Sequence, residues 1–148
     1  MNQRLSTEQK AYIAGFLDGD GSIYVQLKPN STYRYGFQVA PYIVLFQSQK
    51  SNEKFAKLCE MIGLGYMRQR KDGINEYIIG RTDEIRAFLK IVEKYTILKV
   101  KQVELMLQIL DAKEGVKSKE DFQQLAKLVD RFRELNYSKK RKNHTVTP

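Results

Sequence analysis

An α+β fold in the order α-β-β-α-β-β-α-α-α is what this 148-residue chain predicts, as one domain spanning residues 1–148. It would be built on a four-stranded antiparallel sheet with helices packed on one face. Three observations carry the expectation. Alternating apolar residues mark strands, apolar residues at three- and four-residue spacing mark helices, and the helix–strand–strand pattern occurs twice.

Ser6-Thr7-Glu8-Gln9 reads as a capping box, and the helix it opens should run to about Leu17 or Asp18, where Gly19 and Gly21 stop it. From Ser22 to Lys28, Ile23, Val25 and Leu27 alternate with Tyr24, Gln26 and Lys28, which makes a half-buried strand. Pro29-Asn30-Ser31 is a turn signal. A longer β run should follow from about Tyr33 to Gln47, with Pro41 forcing an edge or a bulge.

Ser51 then caps a helix carrying Phe55, Leu58, Cys59 and Ile62, which Gly63 ends. Tyr66 to Arg70 and Glu76 to Ile79 form a second hairpin around Asp72-Gly73. Thr82 caps a helix with Ile85, Phe88, Leu89 and Val92 on one face, and another helix runs from about Leu98 through Leu110. Ser118 opens the last, with Phe122, Leu125, Leu128, Val129, Phe132 and Leu135 at helical spacing. These apolar stripes are core. The sheet face turned away from the helices, rich in Tyr, Gln, Lys and Arg, is left open, with a concave side wide enough to lie along a DNA groove.

Composition narrows the function. The chain carries 26 Lys+Arg against 17 Asp+Glu, a net charge of +9, which points to nucleic acid as a partner. With one cysteine, Cys59, there is no intrachain disulfide and no Cys-rich zinc site. With one histidine, His144, a histidine-based nucleophile triad is not expected. No run approaches the ~18 apolar residues of a membrane span, and the polar stretch Met1–Lys10 lacks the apolar segment of a signal peptide.

The charge is unevenly placed. From Ser22 to Lys50 there is no acidic residue, while tyrosines, amides and the cations Lys28, Arg34 and Lys50 are frequent. Such a segment suits a polyanion that also offers base edges to read; a half-buried amphipathic sheet is the plainer alternative. Residues 131–148 form a basic tail, and over 131–142 six cations face one acid. It is either a solvated tail or a phosphate contact.

On the first helix Ala11, Gly15 and Gly19 recur every four residues. Glycine costs about 1 kcal/mol against alanine inside a helix, so Gly15 suggests that another backbone approaches closely. The natural candidate is the same helix of a second copy; packing under the chain's own sheet is the alternative. Asp18-Gly19-Asp20-Gly21 then places carboxylates at the negative end of the helix dipole, which calls for a cation nearby. An EF-hand is excluded, because Ile23 and Pro29 stand where that loop needs Gly and Glu.

Tyr12-Ile13 followed by Ala14-Gly15-Phe16-Leu17-Asp18-Gly19-Asp20-Gly21 resembles the signature of the LAGLIDADG homing endonucleases. One copy per chain resembles the homodimeric branch typified by algal chloroplast intron enzymes. The likeness continues through Lys28-Pro29-Asn30, Gln47, Ile62-Gly63-Leu64-Gly65-Tyr66, Lys99-Val100-Lys101-Gln102 and Leu135-Asn136 with Ser138-Lys139 and Arg141-Lys142.

The resemblance implies an αββαββα fold with a saddle-shaped sheet. It also implies a site-specific endonuclease that binds a long pseudo-palindromic DNA site as a homodimer. Both strands would be hydrolysed across the minor groove, leaving short 3′ overhangs. Asp20 would be the metal-ligating carboxylate with the Gly19 carbonyl beside it, and Gln47 and Lys99 would complete the catalytic set. Mg²⁺ would be the cofactor, with Mn²⁺ substituting, and the compartment an organelle, chloroplast or mitochondrion. The family's basic residue just after the second strand has no clear match in Ser48-Gln49-Lys50-Ser51.

The chemistry is consistent. Without an available histidine, metals must acidify water and clamp the attacking and leaving oxygens, while Lys99 offers charge to the phosphate and Gln47 positions water. Tyr24, Gln26, Lys28, Asn30, Tyr33, Gln38, Arg68 and Arg70 would meet base edges in the major groove. Lys139, Arg141 and Lys142 would meet phosphates, and Ala11, Gly15 and Gly19 the second subunit. An intron RNA maturase and a non-catalytic DNA-binding regulator are the rival functions on the same scaffold.

Overall fold

A computed structural model describes residues 4–136. The element order is α1 (Thr7–Asp20), β1 (Gly21–Pro29), β2 (Phe37–Ser48), a 3-10 turn (Gln49–Ser51), α2 (Asn52–Ile62), β3 (Tyr66–Gln69), β4 (Ile74–Ile79), α3 (Thr82–Val92), α4 (Val100–Glu114) and α5 (Lys119–Leu135). The four strands form one sheet in the order β1-β2-β4-β3. The chain divides into two compact units, and β2 runs from one into the other at Pro41–Tyr42.

The first unit holds α1, the second half of β2, α2, β3, β4 and α3. β4 pairs antiparallel with β2 from Ile43↔Ile79 to Ser48↔Ile74, and with β3 from Tyr66↔Ile78 to Gln69↔Asn75. Ile43, Leu45, Tyr77 and Ile79 on one sheet face are buried, as are Ile13 and Leu17 of α1, Phe55 of α2 and the Ile85, Phe88, Leu89, Val92 stripe of α3. Phe16 stacks on Phe55 with ring centroids 5.8 Å apart. The phenol oxygen of buried Tyr77 accepts from the N–H groups of Leu64 (2.9 Å) and Gly65 (2.6 Å), which ties the loop after α2 to β4. Gly65 is required there, since a Cβ would lie 2.2 Å from the Ile78 carbonyl oxygen.

The second unit holds β1, the start of β2, α4 and α5. Ile23, Val25 and Leu27 are buried as their alternation requires, although Ile23 itself falls in the first unit. Asn30 closes the turn after β1: its Oδ1 accepts from Thr32 N (3.0 Å) and Thr32 Oγ1 (2.6 Å). Tyr35 leaves the strand direction to stack on Phe122 of α5 at 5.3 Å.

Several boundaries differ from expectation. α1 does not stop at Asp18; it continues through Gly19 to Asp20 and ends at Gly21, whose N–H donates to the Leu17 carbonyl. Glycine weakens a helix without obliging it to end, and here no left-handed residue closes it. β2 begins at Phe37, not Tyr33, because residues 30–36 are folded into the Asn30 turn and Gly36 takes a φ of 82°. β2 is also unbroken at Pro41: its ladder to β4 starts at Ile43, beyond the missing N–H. Ser48, not Ser51, carries the cap bond ahead of α2, its Oγ accepting from Lys50 N, and Arg81 occupies the N-cap position assigned to Thr82.

The sheet face opposite the helices is not polar throughout. Arg68 on β3 and Gln26 and Lys28 on β1 are exposed, yet Val44 and Ile78, directly opposite one another, are 2% and 7% exposed.

Candidate active site

The site grows from the C-terminal end of α1. Its first turn is set by the capping box: Ser6 Oγ accepts from Gln9 N (3.1 Å) and Ser6 N donates to Gln9 Oε1 (2.9 Å). Burial of Ile13, Ala14 and Leu17 then fixes which face looks outward. That outward face carries Ala11, Gly15 and Gly19, all exposed, with Tyr12 beside them at 62% exposure. A Cβ added at Gly15 or Gly19 would meet nothing within 4 Å, so Gly15 does not pack beneath the chain's own sheet.

Asp18, two residues before the helix end, has a role the sequence did not suggest. Its carboxylate accepts from Thr96 Oγ1 (2.5 Å), Ile97 N (2.7 Å), Leu98 N (3.0 Å) and Lys99 N (3.2 Å). It thus gathers the free N–H groups of the turn that leads into α4. Burial alone would raise the Asp18 carboxyl, but the bonds from Thr96 and the three backbone amides outweigh it and hold it below the ordinary value. The repulsion expected from the α1 dipole is met by these donors and by a cation: Lys99 Nζ donates to the Asp18 carbonyl at 3.2 Å. The partners lie 78 to 81 residues from Asp18, so no local pattern announced them.

Asp18 is therefore occupied and Asp20 is not. Asp20 is the last helical residue, exposed, with no hydrogen bond or ion pair among the described residues. The last carbonyls of a helix lack intrahelical donors, so the Gly19 carbonyl and the Asp20 carboxylate form an open pair of hard oxygen donors, the type that Mg²⁺ takes. Among the described residues no group of three or more His, Cys, Asp or Glu side chains is placed to hold a metal, so one chain supplies only part of such a site.

The structure thus brings Lys99 to the acidic end of α1. Gln47 stands at the end of β2, half-buried, its Oε1 accepting from Ser48 N at 2.9 Å. No hydrogen bond among the described residues joins it to Asp20 or Lys99. Lys50 is exposed in the 3-10 turn.

The residues expected to read DNA fall into both units. In one, Gln26, Lys28 and Tyr33 are exposed, and Tyr24, Asn30 and Gln38 half-buried, Asn30 already spending its carbonyl on its own turn. In the other, Arg68 is exposed with no ion pair among the described residues, whereas Arg70 is held by Asp72 (2.5 Å) and Glu76 (3.5 Å). Lys139, Arg141 and Lys142 lie outside the described residues. No described helix is long and apolar enough to cross a membrane.

Comparison with known proteins identifies the family. A model of the LAGLIDADG endonuclease family matches residues 13–110. The chain is 34% identical to the DNA endonuclease I-CreI of Chlamydomonas reinhardtii, covering 99% of this chain and 90% of that protein. It is 30% identical to the DNA endonuclease I-CvuI of Chlorella vulgaris, covering 88% and 81%. The solved structure of I-CvuI on the I-CreI target with 2 mM Mg, its DNA not cleaved, superimposes with a TM-score of 0.84 at 29% identity, covering 91% of this chain and 86% of that one. The described fold, the single signature on α1 and these likenesses together place the chain in the LAGLIDADG homing endonuclease family.

Proposed function

We propose that the chain acts as a homodimeric, site-specific DNA endonuclease that cuts both strands of a long pseudo-palindromic site across the minor groove, leaving short 3′ overhangs. The observation that carries this reading is the end of α1. There an unpartnered Asp20 carboxylate stands two residues from the Asp18 carbonyl that binds the Lys99 ammonium. The I-CvuI complexes with target DNA, solved with Mg or with Ca, support DNA as the substrate and a divalent ion as the companion.

Asp20 and the Gly19 carbonyl would hold Mg²⁺, or Mn²⁺ in its place, together with the same pair from a second copy and DNA phosphates. The ion, when bound, acidifies water and relieves charge on the leaving oxygen. Lys99 contributes a fixed cation at the phosphate, already oriented by its bond to Asp18. Gln47 orients water with its amide. Two exposed faces of Ala11, Gly15 and Gly19 can approach until the helix backbones touch, which brings both Asp20 carboxylates to the two-fold axis.

Tyr24, Gln26, Lys28, Asn30, Tyr33, Gln38, Arg68 and Arg70 read base edges, and Lys139, Arg141 and Lys142 neutralise phosphates. The relatives' origin in algae fits an organellar intron as the source.

The test is cleavage of an intronless copy of the insertion locus in Mg²⁺. Asp20→Asn should bind that DNA and fail to cut it, and Lys99→Met should cut slowly with binding little changed. If Asp20→Asn cuts at the wild-type rate, the assigned metal position is wrong. A wild-type protein that binds and never cuts is a regulator instead.

A further inference from the structure

The buried polar residues of the first unit include one that the catalytic set does not use. Asn75 on β4 has no solvent exposure. Its Nδ2 donates to Asn52 Oδ1 at the start of α2 (2.6 Å), and its Oδ1 has no partner. A buried amide oxygen left unpaired is costly, and such atoms in a folded protein call for a reason.

The register of the sheet supplies one. Asn75 lies directly opposite Gln47 on β2, as it lies opposite Gln69 on β3. Residues opposed in an antiparallel pair share a face, with Cβ atoms about 5 Å apart. Gln47 has committed its Oε1 to Ser48 N and leaves Nε2 without a described acceptor. A free amide donor and a free, fully buried amide acceptor thus stand on opposed residues. Were the Asn75–Asn52 pair turned about, Asn75 would present a donor to Gln47 instead, and the Gln47 amide can meet either.

We infer that Asn75 is a positioning residue for Gln47: its unpaired side-chain atom is the anchor that fixes the Gln47 amide at the active site. This rests on the assignment of Gln47 to the catalytic set. A bond between the two amides would remove rotational freedom from Gln47 and set which of its atoms faces the reacting water. Asn52 in turn orients Asn75, so the first residue of α2 is tied to the catalytic amide through one intermediate.

A double-mutant cycle tests this on the full-length protein, read as single-turnover cleavage of the insertion locus in Mg²⁺ alongside DNA affinity. Gln47→Leu, Asn75→Leu and the double variant are compared with wild type. Asn75→Leu is expected to slow cleavage about tenfold, the rate equivalent of one lost hydrogen bond, with affinity within twofold. The double variant should be no slower than Gln47→Leu, because Asn75 acts only through Gln47. Asn75→Thr, which retains an acceptor, should recover most of the rate. Should Asn75→Leu fail to fold, Asn75→Ala takes its place in the cycle.

Independent, multiplying effects, or a wild-type rate for the Asn75 variant while Gln47→Leu is slow, would overturn the inference alone. A wild-type rate for Gln47→Leu would remove Gln47 from the catalytic set and the inference with it.

Discussion

Replacing Asp18 by alanine tests how Lys99 is held at the end of α1. The substitution withdraws the acceptor from one hydroxyl and three backbone amides. Thr96 is buried at 6% exposure, so its hydroxyl would be left unpaired at about 1–3 kcal/mol. Ile97 and Leu98 are 80% and 73% exposed, and water can reach their amides. That part resembles the loss of a helix N-cap, about 0.5–2 kcal/mol. Together these give about 1.5–5 kcal/mol, a large share of the ~5–15 kcal/mol that holds a domain folded. Urea unfolding should show that drop in midpoint at unchanged slope. Asp18→Asn, which keeps one acceptor oxygen, should lose about half as much. Both variants should also cut DNA slowly with Asp20, Gln47 and Lys99 intact, because the 96–99 turn no longer fixes the lysine. A stability change below about 0.5 kcal/mol for Asp18→Ala, the usual range for an exposed substitution, would refute the clamp.

Gly15→Leu should leave the isolated chain as stable as wild type, since no atom lies within 4 Å of the added Cβ. It should nonetheless abolish double-strand cleavage by forcing the helices of two copies apart; sedimentation should give 17.3 kDa instead of twice that mass. A fully active dimeric Gly15→Leu would move the interface elsewhere. Gly65→Ala, with its Cβ 2.2 Å from a main-chain carbonyl, should fail to fold or melt far below wild type; a melting temperature within a few degrees would show that β4 yields there. Burial pushes the Cys59 thiol up to about 12 and raises the Tyr77 phenol as well. Their unfolded forms therefore release protons first, and folding stability should fall as pH rises, from about 9 toward 12 through Cys59 and above about 10 through Tyr77, by up to ~1.4 kcal/mol per pH unit for each group within its window. Native Cys59 should resist a thiol reagent at pH 8, and rapid labelling would contradict its burial.

What the sequence disclosed was governed by distance along the chain. The Ser6–Gln9 capping box, the left-handed Gly63 at the end of α2 and the Gly73 turn of the second hairpin each depend on neighbours within a few residues, and each stands as expected. The signature drew attention to the end of α1 and its downstream matches to Lys99, and the structure brings the two together. The Asp18 clamp was hidden because its donors are some 80 residues away and are mostly backbone, which every sequence possesses. Pro41 misled for a related reason. Whether a missing N–H matters depends on where a neighbouring strand begins, and that is set by register with β4. The buried amide pair of Asn75 and Asn52 likewise required two elements to meet before its isolation from solvent could be seen.

The Asp18 clamp also sets when the protein becomes capable of chemistry. The bond from Thr96 to Asp18 closes a loop of 78 residues. By chain statistics that closure costs about 4 kcal/mol in entropy, apart from a constant. It must be repaid by the strands and helices formed in between. During synthesis Asp20 and Gln47 emerge well before Lys99, and the lysine cannot be seated until the residues up to α4 have left the ribosome. A partly made chain therefore carries the Asp20 carboxylate without the Lys99 cation seated at the same end of α1. Nuclease competence arrives late in folding, together with the closing of the first unit.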